Sequence, residues 1–217
     1  MKVEEAITQR HSTRAFTDQK ISEDQIRKII SLAQLAPSWV NSQPAHVYAA
    51  TGTTLELIRQ RQANAVRTGA ASKTEVPTVS RSSFPKEKQD NMAKWYASIP
   101  DAIGSEWQKY NNDAALKLYN AQLILYLTLP KNHAEWSMFD LGLFADNILL
   151  AAKEQGLDSM TAYYLVMYPQ ILRETLPISK NERIIVGIAL GYKQDDATIN
   201  GITSEREPVD DVLTVVK

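Results

Sequence analysis

The chain has 217 residues, 44% hydrophobic and 23% charged, with 24 basic and 25 acidic side chains and a net charge of −1. That balance fits one domain with a substantial apolar core, and it argues against disorder, a membrane-embedded chain and any general electrostatic pull on nucleic acid. With no cysteine there are no disulfides, iron–sulfur clusters, thiolate zinc or cysteine nucleophiles, and the three histidines lack the spacing of a metal site. The first residues, Met1-Lys2-Val3-Glu4-Glu5, lack the apolar stretch of a secretory signal, so a cytoplasmic location is expected.

Val3, Ala6, Ile7 and Arg10 follow helical spacing and predict a short helix that delivers Arg10 to its end. Ser22 with Gln25 reads as a capping box, and Ile26, Ile29, Ile30, Ala33 and Ala36 form one apolar stripe before Pro37. A polar turn from Ser38 to Pro44 leads to a strand at His46 to Thr51, after which Thr53 and Glu56 open another helix. From residue 62 to residue 120 strand signals are few, and the span reads as helices and loops inserted over the core, with Trp95 and Trp107 as packing residues.

A strand is predicted at Leu123 to Leu129, and Leu141 to Ala152 reads as a helix apolar nearly all round, lying between layers or between subunits. Asp140 and Asp146 on that helix read as hydrogen-bonded interior or interface groups. After Gly156, Ser159 to Val166 reads as a strand leading into a helix between Pro169 and Pro177. Ile184 to Tyr192 is the clearest buried strand. The tail, residues 193–217, ends in the strand-like run Val212-Leu213-Thr214-Val215-Val216, which needs a partner; the sheet edge of another subunit is one remedy.

The chemistry concentrates at Arg10-His11-Ser12-Thr13-Arg14-Ala15-Phe16. Two guanidinium groups four residues apart, a hydroxyl midway and the N–H groups of a polar turn can converge on a phosphate monoester. The alternative is a solvated connection between helices. No GxGxxG, GxxxxGK[ST] or GxSxG occurs, which disfavours a Rossmann dinucleotide domain, a P-loop and an α/β-hydrolase.

Five blocks in order resemble the FMN-dependent nitroreductase family: residues 10–16; Ala36-Pro37-Ser38-Trp39-Val40-Asn41-Ser42-Gln43-Pro44; Phe139-Asp140-Leu141-Gly142; Ile188-Ala189-Leu190-Gly191-Tyr192; and Ser204-Glu205-Arg206-Glu207-Pro208. The resemblance implies an α+β layered fold, a mostly antiparallel central sheet wrapped by helices, in a single domain spanning 1–217. The 62–120 insert would lie over the active site, and the arm 193–217 would be exchanged onto the partner of a homodimer. By resemblance Arg10, Ser12 and Arg206, with His11 between the first two, hold the FMN phosphate, and Arg14 reaches the ribityl chain or the N1/O2 edge of the flavin. Pro37, Ser38, Trp39 and Asn41 come from the partner, and Thr161, Ala162, Tyr163 and Tyr164 lie beside the ring. The implied activity is NAD(P)H oxidation with reduction of nitroaromatics, quinones or similar electron-poor acceptors, by ping-pong hydride transfer through flavin N5, whose first step needs no enzymic acid or base. Two departures stand out. Tyr163-Tyr164 replaces a Glu-Gly pair, and the 62–88 region offers no counterpart to a lysine many members place near N1, which leaves Arg14 as the electrostatic stabiliser. They keep open a different flavin reaction, such as dehalogenation or azoline oxidation, and a flavin-binding sensor or storage protein without turnover.

Overall fold

The computed structural model describes residues 1–217. Its centre is a four-stranded sheet in the order β1–β2–β4–β3, formed by β1 (His46–Thr51), β2 (Leu123–Pro130), β3 (Asp158–Ala162) and β4 (Glu182–Gly191), every neighbouring pair antiparallel. Seven helices surround it: α1 (Val3–Gln9), α2 (Glu23–Ala33), α3 (Gly52–Arg67), α4 (Lys86–Ile103), α5 (Trp107–Leu116), α6 (Glu135–Glu154) and α7 (Pro169–Thr175). The α+β layered reading of the sequence is borne out. No helix is long and apolar enough to cross a membrane.

The layering follows from the period-2 geometry of β2, whose side chains alternate between faces. Leu123, Leu125, Leu127 and Leu129 pack with Ile29 and Ala33 of α2 and with Leu141 and Ile148 of α6. Ile124 and Tyr126 pack on the other face with Leu55 and Ile58 of α3 and Leu172 of α7. Because β2 is central and covered on both sides, it reads as a continuous apolar run. The start of α2 is fixed as the sequence predicts: Ser22 Oγ accepts from Gln25 N at 3.2 Å while Gln25 Oε1 accepts from Ser22 N at 3.1 Å.

Three expectations change. First, α6 begins at Glu135, almost two turns before Leu141, because its opening turns are amphipathic and expose Trp136 and Phe139. Second, the strand predicted to reach Val166 stops at Ala162, and Tyr163–Val166 forms a 3₁₀ turn instead. There the chain folds back so that Leu165 seats against Gly187, where an added Cβ would lie 2.6 Å from Leu165 Cβ. Third, Val212–Val216 forms no strand and stays exposed. It pairs with neither edge of the sheet: the outer edge of β3 is occupied by residues 12–13, and the edge of β1 stays open.

The loop after α3 is anchored by Glu75. Its carboxylate accepts from Arg173 Nε at 2.8 Å, Arg173 Nη2 at 2.9 Å and the Ile184 N–H at 2.7 Å, while its carbonyl accepts from Arg183 Nε at 2.9 Å. Burial raises the pKa of this carboxyl, but the Arg173 and Ile184 hydrogen bonds outweigh it and hold the group below its ordinary value. Glu75→Gln is therefore expected to cost about 2 kcal/mol in denaturant titrations at neutral pH. A depressed carboxyl contributes fully above its unfolded-state pKa and loses that contribution as the pH falls through the folded one. The gap between wild type and Glu75→Gln should thus narrow below pH 4.5; a constant gap would assign the effect to packing.

Candidate functional site

The segment 10–16 is extended rather than a turn. It runs beside β3, with Ser12 opposite Ser159 in parallel sense and Thr13 N donating to Ser159 O at 3.0 Å. Its backbone donors are then spent in succession. Arg14 N and Ala15 N both reach Asn200 Oδ1, at 2.7 and 3.0 Å, Phe16 N reaches Tyr119 O at 3.1 Å, and Thr17 N reaches Tyr192 O at 2.8 Å. Only His11 and Ser12 keep uncommitted N–H groups, since Arg10 N closes α1 on Ala6 O. The polar turn presenting its N–H groups is thus corrected to an extended strip with two, because the edge of β3, Asn200, Tyr119 and Tyr192 take the other donors.

The side chains on this strip are mostly cationic or polar and lack acidic partners. Arg10 is half-buried and bridges no carboxylate, and His11 Nδ1 is buried with no hydrogen-bond partner. Arg14 is 9% exposed; its Nη1 donates to Ser12 O and to Ile202 O, each at 3.2 Å. Burial lowers the pKa of this guanidinium, opposed by the phenols of Tyr119 and Tyr96 nearby. A buried guanidinium without a counter-ion is costly to the folded chain, and it marks a place where an electron-rich group is awaited.

Beside it, Thr161 and Tyr163 are exposed, Ala162 is buried and Tyr164 half-buried. Tyr119, 4% exposed, joins them: burial above all, with Tyr164 and Tyr163 adding to it against Arg14, pushes its phenol up to about 12. Sequence reasoning missed Tyr119, whose only distinction is local geometry: Leu118, Tyr119 and Asn120 have φ of 47°, 61° and 56° in succession.

Arg206 lies apart from these groups in the single chain. Its Nη1 curls back onto Ser204 O, Ser204 Oγ and Glu205 O at 2.9 to 3.0 Å, and the cleft it lines with Asn91, Lys94 and Trp95 of α4 includes neither Arg10 nor Arg14. The tail around it is pinned to α4 by Trp95 Nε1 donating to Thr203 O at 2.7 Å and by the Lys94–Glu205 and Lys88–Glu207 ion pairs.

Pro37 and Ser38 line a separate cleft of about 290 Å³ with His46, Asp140 and Phe144, and none of its lining residues belongs to 10–16 or 161–164. Asp140 is buried and accepts from Trp39 N at 3.1 Å, so it serves as the interior acceptor the sequence suggests, whereas Asp146 is exposed. The loop is strained: Val40, Asn41 and Gln43 have φ of 45°, 59° and 43°, and a β-branched residue in that region is a genuine outlier. Trp39 and Val40 stand 63% and 74% exposed, as do Trp136 and Phe139 to similar degrees, leaving a broad apolar face uncovered. No group of His, Asp and Glu is arranged to hold a metal ion.

The nitroreductase family model matches residues 7–192. The chain belongs to the nitroreductase family. It is 30% identical to the nitroreductase NfnB of Mycolicibacterium smegmatis over 94% of this chain and 88% of that one. It is 27% identical to a nitrobenzene nitroreductase of Ectopseudomonas oleovorans over 99% and 96%. The fold superposes with a TM-score of 0.90 on the FMN-dependent nitroreductase NfnB from Mycobacterium smegmatis in complex with NADPH, at 25% identity, covering 99% of this chain and 97% of that chain.

Proposed function

We propose that this nitroreductase-family protein is an FMN-dependent NAD(P)H oxidoreductase that reduces nitroaromatics, quinones or similar electron-poor acceptors, working as a homodimer. The observation that carries the reading is the donor set along β3: two guanidinium groups, a hydroxyl and two uncommitted N–H groups, with no carboxylate among them. That chemistry suits a phosphate ester at one end and an electron-rich ring edge at the other. The nitroreductase relatives, and the solved FMN-dependent nitroreductase NfnB in complex with NADPH, support the same reading.

Bound FMN supplies reversible two-electron chemistry between a reduced nicotinamide and an acceptor. The chain's own residues do the rest. Arg10, Ser12 and the N–H groups of His11 and Ser12 bind the phosphate, aided by Arg206 once the tail is seated. Arg14, dry and cationic, would hold the electron-rich edge of the flavin and favour electron density there, an effect strengthened by the low local dielectric. Thr161, Ala162, Tyr163 and Tyr164 would line the ring and exclude water from it once it is bound. Pro37, Ser38, Trp39 and Asn41 reach the site from the partner, which also accounts for a strained loop bearing an exposed tryptophan.

Purified protein should be yellow, lose its visible absorbance anaerobically with NADH or NADPH, and regain it on addition of a nitroaromatic. A yellow protein that neither nicotinamide bleaches would leave binding without turnover. For the exchanged arm, deleting Val209–Lys217 is expected to weaken the dimer and release FMN together, measured by sedimentation and fluorescence. A monomer that retains flavin after this truncation would refute the shared site.

A further inference from the structure

Leu118, Tyr119 and Asn120 occupy the left-handed region one after another, and none is glycine. Only asparagine tolerates that conformation well, and the other two are sterically strained in it. The turn closes on two backbone bonds of its own, Asn120 N to Lys117 O at 3.0 Å and Ala121 N to Leu118 O at 3.1 Å, and it is gripped from outside as well. Arg59 of α3 does so: its Nε donates to Lys117 O and its Nη2 to Ala121 O, both at 2.8 Å, so one rigid fork grips the carbonyls on either side of the three strained residues. Glu56, one turn earlier on α3, pairs with the remaining nitrogen and aims the fork.

The far side of the turn is tied to the cationic strip. Tyr119 O accepts from Phe16 N at 3.1 Å, and Asn120 Nδ2 donates to Phe16 O at 2.9 Å and to Asp18 Oδ1 at 2.9 Å. Phe16 is two residues beyond Arg14, and Tyr119 and Arg14 line the same cleft of about 520 Å³. We propose that Arg59, which lines neither Arg14's cleft nor the strip, is a positioning residue: it clamps the left-handed turn at 118–120, and the turn fixes both the backbone at Phe16 and the Tyr119 wall that together set where the Arg14 guanidinium sits. The effect on the flavin rests on the function proposed above; the coupling from Arg59 to the strip does not.

The test uses full-length protein and two variants, Arg59→Met, which keeps the stem and removes the fork, and Arg59→Lys, which keeps the charge but grips one carbonyl. Hydrogen exchange without added FMN is expected to quicken roughly tenfold at Phe16 and at residues 117–121 in Arg59→Met, with the β2 and β4 amides unchanged and Arg59→Lys intermediate. In FMN-loaded protein the same series should lower FMN affinity roughly tenfold and move the midpoint potential towards that of free FMN. Faster exchange confined to 117–121, with Phe16 still protected, overturns the coupling. Loosened Phe16 with unchanged FMN affinity and potential makes Arg59 a stability strap alone. Should wild type bind no FMN, the functional reading fails by itself, and the Phe16 exchange still decides whether Arg59 positions the strip.

Discussion

Gly191→Ala is expected to destabilise the protein by about 2 to 3 kcal/mol and to loosen FMN binding at temperatures where the sheet is still folded. A Cβ at position 191 would lie 2.8 Å from Cβ, Cγ and Cδ1 of Phe16, whose ring is fully buried. Phe16 has little room to retreat, since Ala15 N, Phe16 N and Thr17 N are each bonded to a different part of the chain. Relief comes only by lifting the strip, and lifting it carries Arg14 away from its place beside Tyr119. Gly201→Ala is the contrasting substitution: its Cβ would meet a single side-chain atom at 2.9 Å, the Cγ2 methyl of Ile103, in place of three atoms of Phe16, and a smaller loss is expected. Thermal melts and FMN titrations of the two variants check the pair. A Gly191→Ala protein with wild-type melting and wild-type flavin content would mean that the strip is not braced as described.

Arg14→Met separates the cost of the site to the fold from its use. Removing the guanidinium forfeits two charge-assisted hydrogen bonds, to Ser12 O and Ile202 O, each worth roughly 1.5 to 3 kcal/mol. It also removes a buried cation with no carboxylate partner, a penalty of several kcal/mol. The two are of similar size, so the melting temperature without FMN is expected to change by only a few degrees. Affinity for FMN has no such compensation and should fall roughly a hundredfold, with the midpoint potential moving down as the positive charge disappears. Arg14→Lys should recover part of the potential, because it restores charge without the planar fork. A large loss of stability without FMN, with little change in flavin affinity, would make Arg14 a structural residue.

What the sequence disclosed, and what it hid, divides along the range of the interactions. Ser22 with Gln25, the alternating leucines of β2 and the β-branched run of β4 act through neighbours in the chain or through one sheet face, and their elements stand where periodicity put them. The Arg10–Arg14 run was visible as chemistry, but its extended form depends on the unpaired outer edge of β3, about 145 residues away in sequence. Tyr119 was hidden because its conformation runs against its own propensity and is imposed by Arg59 and Asn120. Likewise the turn at Tyr163 is decided by Leu165 finding the bare Cα of Gly187, a steric fact no local pattern records. Arg206 was singled out by its block alone, and in the single chain it rests on its own carbonyls.

The open ladder along β1 and the five apolar-rich, exposed residues from Val212 to Val216 belong to the same polypeptide. If two copies donate tails to each other, the exchange closes on itself and no adhesive surface remains. If each copy donates to a third, nothing terminates the series, and growth proceeds by end-to-end recruitment. Were the tail exchanged in this way, newly made protomers at high local concentration would face a choice between mutual embrace and polymer. Whatever slows the reciprocal step, such as a lengthened tail or a charge placed among those valines, is expected to favour soluble strings or precipitate over an active pair.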